Sequence, residues 1–233
     1  MIKVENIDVW GFEHAIRGMR NPLNSWDKSD SYPAVDCGKC GKIEREGICR
    51  AEDRDCTGFE CYEIGNNDLN LMRRLFKGGT EHRKYARQIM VSMDITSHHT
   101  WWAEFDTYKV GVTRNSCSKM HRIHVKEFVT EDFSTEGIAE CGGKTIDVFV
   151  SVLMELERLR LLFNETHDKK YWRAIIELLP MGYNLRATVT MNYENVFNII
   201  NQRDGHKVDE WDEFVEVLRA LPYVEDILRS DEE

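Results

Sequence analysis

The chain has 233 residues, 42% of them hydrophobic and 31% charged, with a formal net charge of -10 at pH 7. That length can bury a sizeable core, and the balance is that of an ordinary globular protein. The acidic charge argues against a nucleic-acid partner gripped by neutralising many phosphates, yet it allows a small anionic ligand held by a few arginines.

The opening run MIKVENIDVWGF alternates as a first strand would, and EHAIRGMRN follows as a short helix. Ala15, Ile16 and Met19 would face inward there, with Arg17 and Arg20 nearer solvent. From Pro22 to Asn67 the apolar periodicity stops, and Gly, Asp, Lys and Cys dominate, as in a loop or a small inserted module over residues 32–66. Periodicity returns with DLNLMRRLFKGG, where Asp68 could cap a helix and Gly78-Gly79 could end it. HRKYARQIMVSMDITSHHTWWAEF passes from a helical start to an alternating strand with Met93, Ile95 and Ser97 on one face. KTIDVFVSVLMELERLRLLFNETHD is the clearest helix, with an expected apolar stripe of Val148, Val152, Leu156 and Leu159. A second helix, about residues 169–179, stops at Pro180. A strand, a helix, the run DEWDEFVEVLRALPYVEDIL and an acidic tail complete the chain. Long helices with a few separated strands make the expected class α+β, one domain over residues 1–233. No run of about 18 apolar residues occurs, and no apolar segment follows a basic start, so the expectation is a cytoplasmic protein with no membrane partner.

Five of the seven cysteines fall in one short segment, Cys37, Cys40, Cys49, Cys56 and Cys61. In a reducing compartment such clustering points to metal rather than disulfides. Cys37, Cys40, Cys56 and Cys61 make the favoured set for a structural zinc, with Gly38 and Gly41 beside the first pair. Free thiols in a loop are the alternative.

The run from Leu185 to Asn192 carries the most chemistry. On a strand, Arg186, Thr188, Thr190 and Asn192 share one face, opposite Leu185, Ala187, Val189 and Met191. In the next helix Arg203 falls on the stripe of Val196, Ile199 and Ile200, so it needs an anionic partner or must reach water. A solvent-facing strand with an arginine at a helix C-terminus is the plain alternative. The segment GVTRNSCSKMH, with Thr113, Arg114, Asn115 and Ser116, has the composition of a phosphate-wrapping loop or of a polar turn. His98-His99 beside Trp101-Trp102 cannot chelate one ion from a strand, where neighbours face opposite ways. Stacking of one of these rings on a ligand competes there with ordinary packing.

The run LLPMGYNLRATVTMNYENVFNIINQRDGH resembles the C-terminal portion of the flavin-dependent thymidylate synthases. Leu179-Pro180, Arg186, Thr190 with Asn192, and Asn201 with Arg203 stand at the family's spacings, with His206 and Trp211 matching more loosely. Upstream, LMRRLFKGGT and MVSMDITSHHTWW resemble the family's helix, Gly-x-x-Thr turn and strand, so the likeness spans about residues 68–218. It implies the family's fold, a mixed or antiparallel sheet with long helices, here carrying the Cys-rich insertion. It also implies FAD, a pyrimidine nucleotide such as dUMP, folate and NADPH, and a homotetramer. Arg186 would bind nucleotide phosphate or base, with Thr113, Arg114, Asn115 and Ser116 near it; Asn201 and Arg203 would contact flavin, with Thr80, His99 and His206 on the cofactor side.

The sequence departs from that pattern at one hallmark. The family's Arg-His-Arg triplet falls on Ala103-Glu104-Phe105 or Glu104-Phe105-Asp106, so carboxylates replace cations. The loop serine and arginine become Thr113 and Asn115 in the gapless register, and the late arginine has no counterpart in EWDEFVEVL. The matching alternative is a nucleotide-binding protein of this fold with altered or lost synthase activity.

Overall fold

The computed structural model describes residues 2–36 and 59–229. The described residues divide into a first unit, within Met1–Asp8, Val91–Met191 and Asn195–Arg219, and a second, within Val9–Met90, Asn192–Glu194 and Ala220–Glu233.

The first unit is built on a four-stranded sheet in the order β1 (Lys3–Trp10), β4 (Met90–His98), β6 (Asn184–Asn192), β5 (Thr113–Ser116). Val91, Met93, Ile95 and Ser97 of β4 are buried, as are Leu185, Ala187, Val189 and Met191 of β6, so the alternation read from sequence sets which face is covered. β5 pairs antiparallel with β6, Thr113 opposite Thr190 and Asn115 opposite Thr188. Residues 113–116 of the expected 111–121 loop therefore form an edge strand, and their backbone belongs to a ladder rather than to a phosphate nest.

His98 closes β4 and caps the short helix α3 (His99–Phe105), its Nδ1 accepting from the Trp101 N–H at 3.3 Å. The two histidines therefore do not alternate along one strand: the chain turns helical between them. That turn buries Trp101, Trp102 and Phe105 in an aromatic cluster with Trp211 and Phe214 of the helix Asp209–Arg219, the Trp101 and Trp211 rings 4.8 Å apart. The Trp102 indole donates to the Leu185 carbonyl at 3.0 Å, tying α3 to β6. Packing is thus the role of both tryptophans.

A second cluster, Phe128, Phe133, Phe149, Leu156, Leu159 and Ile175, joins the long helix Gly143–Thr166 to the helix Lys169–Leu178. The long helix buries Phe149, not Val148, which is 54% exposed. One position of rotation separates the two, and the large ring takes the core side.

In the second unit α1 (Phe12–Arg20) buries Phe12, Ala15, Ile16 and Met19. Arg20, expected near solvent, is buried as well: its Nε donates to Asp68 Oδ1 at 2.8 Å. Asp68 lies in the first turn of α2 (Asn66–Lys77), whose N-cap is Gly65, so it is not the cap. Its carboxylate instead accepts from Ser29 and Ser31 hydroxyls, both at 2.7 Å, and from the Asp30 N–H at 3.1 Å. Asp30 does the capping, accepting from the backbone N–H groups of Asn67 and Asp68 at 2.9 and 3.1 Å. An antiparallel ribbon, β2 (Tyr32–Asp36) with β3 (Phe59–Glu63), gives the segment after Pro22 regular structure at both of its roots. Of the four proposed zinc ligands, Cys37, Cys40 and Cys56 lie outside the described residues; Cys61 sits opposite Ala34 in the ribbon.

Candidate functional site

The open face of the sheet in the first unit carries the polar row read from β6. Asp94, on the uncovered side of β4, collects that row: it accepts from Thr188 Oγ1 at 2.6 Å, Asn6 Nδ2 at 2.8 Å and Arg186 Nη2 at 2.8 Å. The Thr188 hydroxyl, the Asn6 amide and the Arg186 guanidinium, in that order, hold the Asp94 carboxyl well below the usual carboxylate range. Asp94 holds Arg186 charged in return. Ser92 and Thr190 hydroxyls meet at 3.2 Å in the same row. Among the described residues Asp94 is the one acceptor of the Arg186 guanidinium, whose side chain is 53% exposed, so most of its N–H donors face the open surface. The ladder register adds Thr113 and Asn115, both exposed, to this face.

Arg114 sits opposite Val189 and so belongs to the other face. Its guanidinium lies 4.3 Å from the Trp102 ring and pairs with Asp106 at 2.6 Å. Ser116, opposite Ala187, likewise leaves the polar row. The four residues grouped by sequence thus divide between the two faces, because a strand alternates where a loop would have gathered them.

Arg203 has the anionic partner its place on a buried stripe calls for. Its Nη1 donates to Glu104 Oε2 at 2.6 Å and its Nε to the Tyr108 hydroxyl at 2.9 Å, and the guanidinium stands 4.4 Å from the centre of the Trp211 ring. His206 Nε2 is 3.0 Å from Arg203 Nη1, and the Trp211 indole N–H donates to Glu104 Oε2 at 2.9 Å. Three of the residues expected on the cofactor side, or loosely matched to it, are thereby brought together: Arg203, His206 and Trp211. Asn201, two residues before Arg203, is exposed. His99 stacks on Tyr183, ring centres 6.4 Å apart, and burial pushes the Tyr183 phenol up to about 12. Thr80 belongs to the second unit and lies in an exposed turn ahead of the helical turn that starts at Lys84.

Two carboxylates that organise these clusters were not assigned roles from sequence. Asp94 stands between Met93 and Ile95, and its outward row Ser92-Asp94-Thr96 was legible; its partners lie 92 and 94 residues away in the chain. Glu104 was visible as a departure, but not as the counter-ion of Arg203. Among the described residues no group of three or more His, Cys, Asp or Glu is placed to hold a metal ion.

Solved structures place this architecture. The flavin-dependent thymidylate synthase ThyX from Helicobacter pylori, complexed with FAD and dUMP, superimposes with a TM-score of 0.62 over 98% of this chain and 98% of its own, at 16% identity. The fold is that of the flavin-dependent thymidylate synthases. A second structure of Thymidylate Synthase X from Helicobacter pylori, with FAD and dUMP, gives 0.61 over 98% of this chain and 100% of its own, at 13% identity. No protein-family model and no curated protein matches the sequence. The synthase fold thus extends well beyond the residues 68–218 that carry the sequence resemblance, and it includes the N-terminal strand and helix.

The arginines in hand divide in their fit to a flavin dinucleotide. Arg203 and Arg114 are each paired with a carboxylate, Glu104 and Asp106, from the segment where the family places cations. A negative charge beside each guanidinium opposes a diphosphate, so these residues do not form a diphosphate clamp. Arg186 is also paired, but exposed and with donors to spare.

Proposed function

We propose that this protein acts on dUMP or a related pyrimidine nucleotide as a divergent flavin-dependent thymidylate synthase, the reductive methylation to dTMP drawing on FAD, methylenetetrahydrofolate and NADPH. The observation that carries the reading is the open row of Arg186, Thr188 and Thr190 on the sheet of a fold whose solved examples hold dUMP and FAD. Arg186 would grip phosphate or the uracil edge with the N–H groups that Asp94 leaves free, and Thr188, Thr190, Thr113 and Asn115 would supply hydroxyl and amide contacts. Asp94 would keep the guanidinium in one orientation while that ligand binds.

In the first unit, Asn201, His206 and His99 are the residues left to contact the flavin, which when bound supplies the redox chemistry. A homotetramer is the assembly we propose, supported by the row of exposed Ile146, Val150, Met154 and Leu161 along the long helix. Among the described residues no helix is long and apolar enough to cross a membrane, and a cytoplasmic location is part of the proposal.

The carboxylates on Arg203 and Arg114 favour a second reading, a nucleotide-binding protein of this fold with altered or lost synthase activity. A coupled assay with dUMP, methylenetetrahydrofolate, NADPH and added FAD separates the two. Formation of dTMP supports the first. A thermal shift with dUMP and no dTMP supports the second, and no response to any nucleotide contradicts both.

A further inference from the structure

Two arginine–carboxylate pairs on the long helix close both points of the guanidinium fork. Arg158 donates through Nε and Nη2 to the two oxygens of Glu155, both at 2.7 Å, and Arg160 does the same to Glu157. A carboxylate takes this two-point grip when little else claims its oxygens. Among the described residues Glu155 accepts from no other donor, and Glu157 only from the Phe128 N–H at 3.3 Å. Arg186 is about as exposed as Arg158, 53% against 58%, yet it meets Asp94 at a single contact, Nη2 to Oδ2 at 2.8 Å. The difference lies on the carboxylate. Thr188 Oγ1 holds Oδ1 at 2.6 Å, and the Asn6 amide shares Oδ2 at 2.8 Å. Asp68 repeats the pattern in the second unit. Its Oδ2 accepts from Ser29, Ser31 and the Asp30 N–H, and Arg20 has one contact, on Oδ1. Asn6 reaches Asp94 from a left-handed backbone, φ +54 in the middle of β1, a conformation that asparagine adopts more readily than most residues. A left-handed residue inside a strand turns its side chain out of the strict alternation, as at a bulge.

We propose that Thr188 and Asn6 are positioning residues: by occupying Asp94 they keep it from closing a two-point grip on Arg186, and so keep the outer N–H groups of the guanidinium for the ligand. That the ligand is a pyrimidine nucleotide rests on the reading above; the control of the grip does not. A guanidinium held at one N–H retains its other donors. It also keeps one orientation, because its partner is fixed from two further sides. Loss of either donor frees a carboxylate oxygen, and the fork closes as it does at Glu155 and Glu157.

Two variants test this on the full chain without ligand. Asn6→Gly removes the amide, and glycine serves a left-handed position at least as well as asparagine, so a purely structural role would survive it. Thr188→Val keeps the shape of the side chain and removes the hydroxyl. Phenylglyoxal modification of Arg186, read by peptide mass spectrometry, reports how freely the guanidinium reacts, with the 76%-exposed Arg173 as internal reference. Each variant is expected to slow Arg186 roughly 2- to 10-fold relative to Arg173. Adding Asp94→Ala should abolish the slowing. Either variant alone suffices should the other not fold, as checked by circular dichroism. An Arg186 rate that is unchanged or faster in a folded variant, or a slowing that survives loss of Asp94, overturns the proposal. Calorimetric titration of dUMP into Asn6→Gly follows, with binding expected to weaken roughly 2- to 10-fold. A wild type that binds no dUMP, with Arg186 slowed in the variants, would sink the nucleotide reading and leave the positioning role standing. A wild type that binds dUMP, with Asn6→Gly binding it equally well, would sink the positioning role and leave the nucleotide reading standing.

Discussion

Replacing Asp68 by Asn removes one charge from a pair that is almost wholly enclosed, with side-chain exposures of 6% for Arg20 and 0% for Asp68. The wild-type carboxylate satisfies Arg20, two serine hydroxyls and one backbone N–H. Asparagine keeps the volume but presents an NH2 group where an acceptor is required, and it leaves the Arg20 charge without a counter-ion. Breaking a buried pair from one side costs about 3–5 kcal/mol. For a chain of this size that corresponds to a fall in Tm of roughly 6–20 °C. Urea unfolding at pH 7, followed by far-UV circular dichroism, measures the loss. A penalty below about 1 kcal/mol would refute the reasoning, because it would mean the pair is solvated in solution.

The same group gives the pH dependence its sign. Burial raises the Asp68 carboxyl, but bonds from Ser29, Ser31 and Arg20 together carry it below its ordinary 3.8. The unfolded carboxyl therefore protonates first as pH falls. The stabilisation is complete above about pH 5 and is lost as pH drops through 3.8 towards the lower folded value. Asp68→Asn should lose that part of the acid dependence.

Other expectations bear on the second unit and the cysteine-rich segment. Gly11 has φ +97, and an added Cβ would meet the Gln88 carbonyl oxygen at 2.2 Å, so Gly11→Ala should destabilise by about 1–3 kcal/mol in the same urea assay. Wild-type stability in that variant would show that the turn relaxes freely. If Cys37, Cys40, Cys56 and Cys61 bind zinc as their spacing suggests, the purified protein should carry about one equivalent by plasma emission spectroscopy, and Cys37→Ser with Cys40→Ser should release it. A metal-free wild type would leave these residues as free thiols.

The sequence was most legible where periodicity and packing agree. The alternation around Arg186 and the shared face of Met93, Ile95 and Ser97 were readable because a strand with one covered face has a period of two. The Leu-Pro, Arg, Thr-x-Asn and Asn-x-Arg spacings were legible because they lie in one uninterrupted strand and helix. Short-range chemistry failed where long-range partners decide. Arg20 reads as a surface residue until Asp68, 48 positions away, is placed against it. Arg114 and Thr113 read as one loop until the pairing with β6 sends them to opposite faces. Val148 and Phe149 compete for one stripe, and only the position of Phe133, 5.4 Å from the Phe149 ring, shows which wins. The counter-ions of Arg186 and Arg203 were out of reach for the same reason, since Asp94 and Glu104 lie 92 and 99 residues away.

Calorimetric titration of dUMP into the wild type and Arg186→Ala tests the central claim most directly. A charged hydrogen bond contributes about 1.5–3 kcal/mol, so the variant should bind roughly 10- to 100-fold more weakly. Its circular dichroism should be unchanged, because Arg186 is an exposed strand residue. A wild type that binds no dUMP, or an Arg186→Ala variant that binds it equally well, would contradict the assignment of the nucleotide to this face of the sheet.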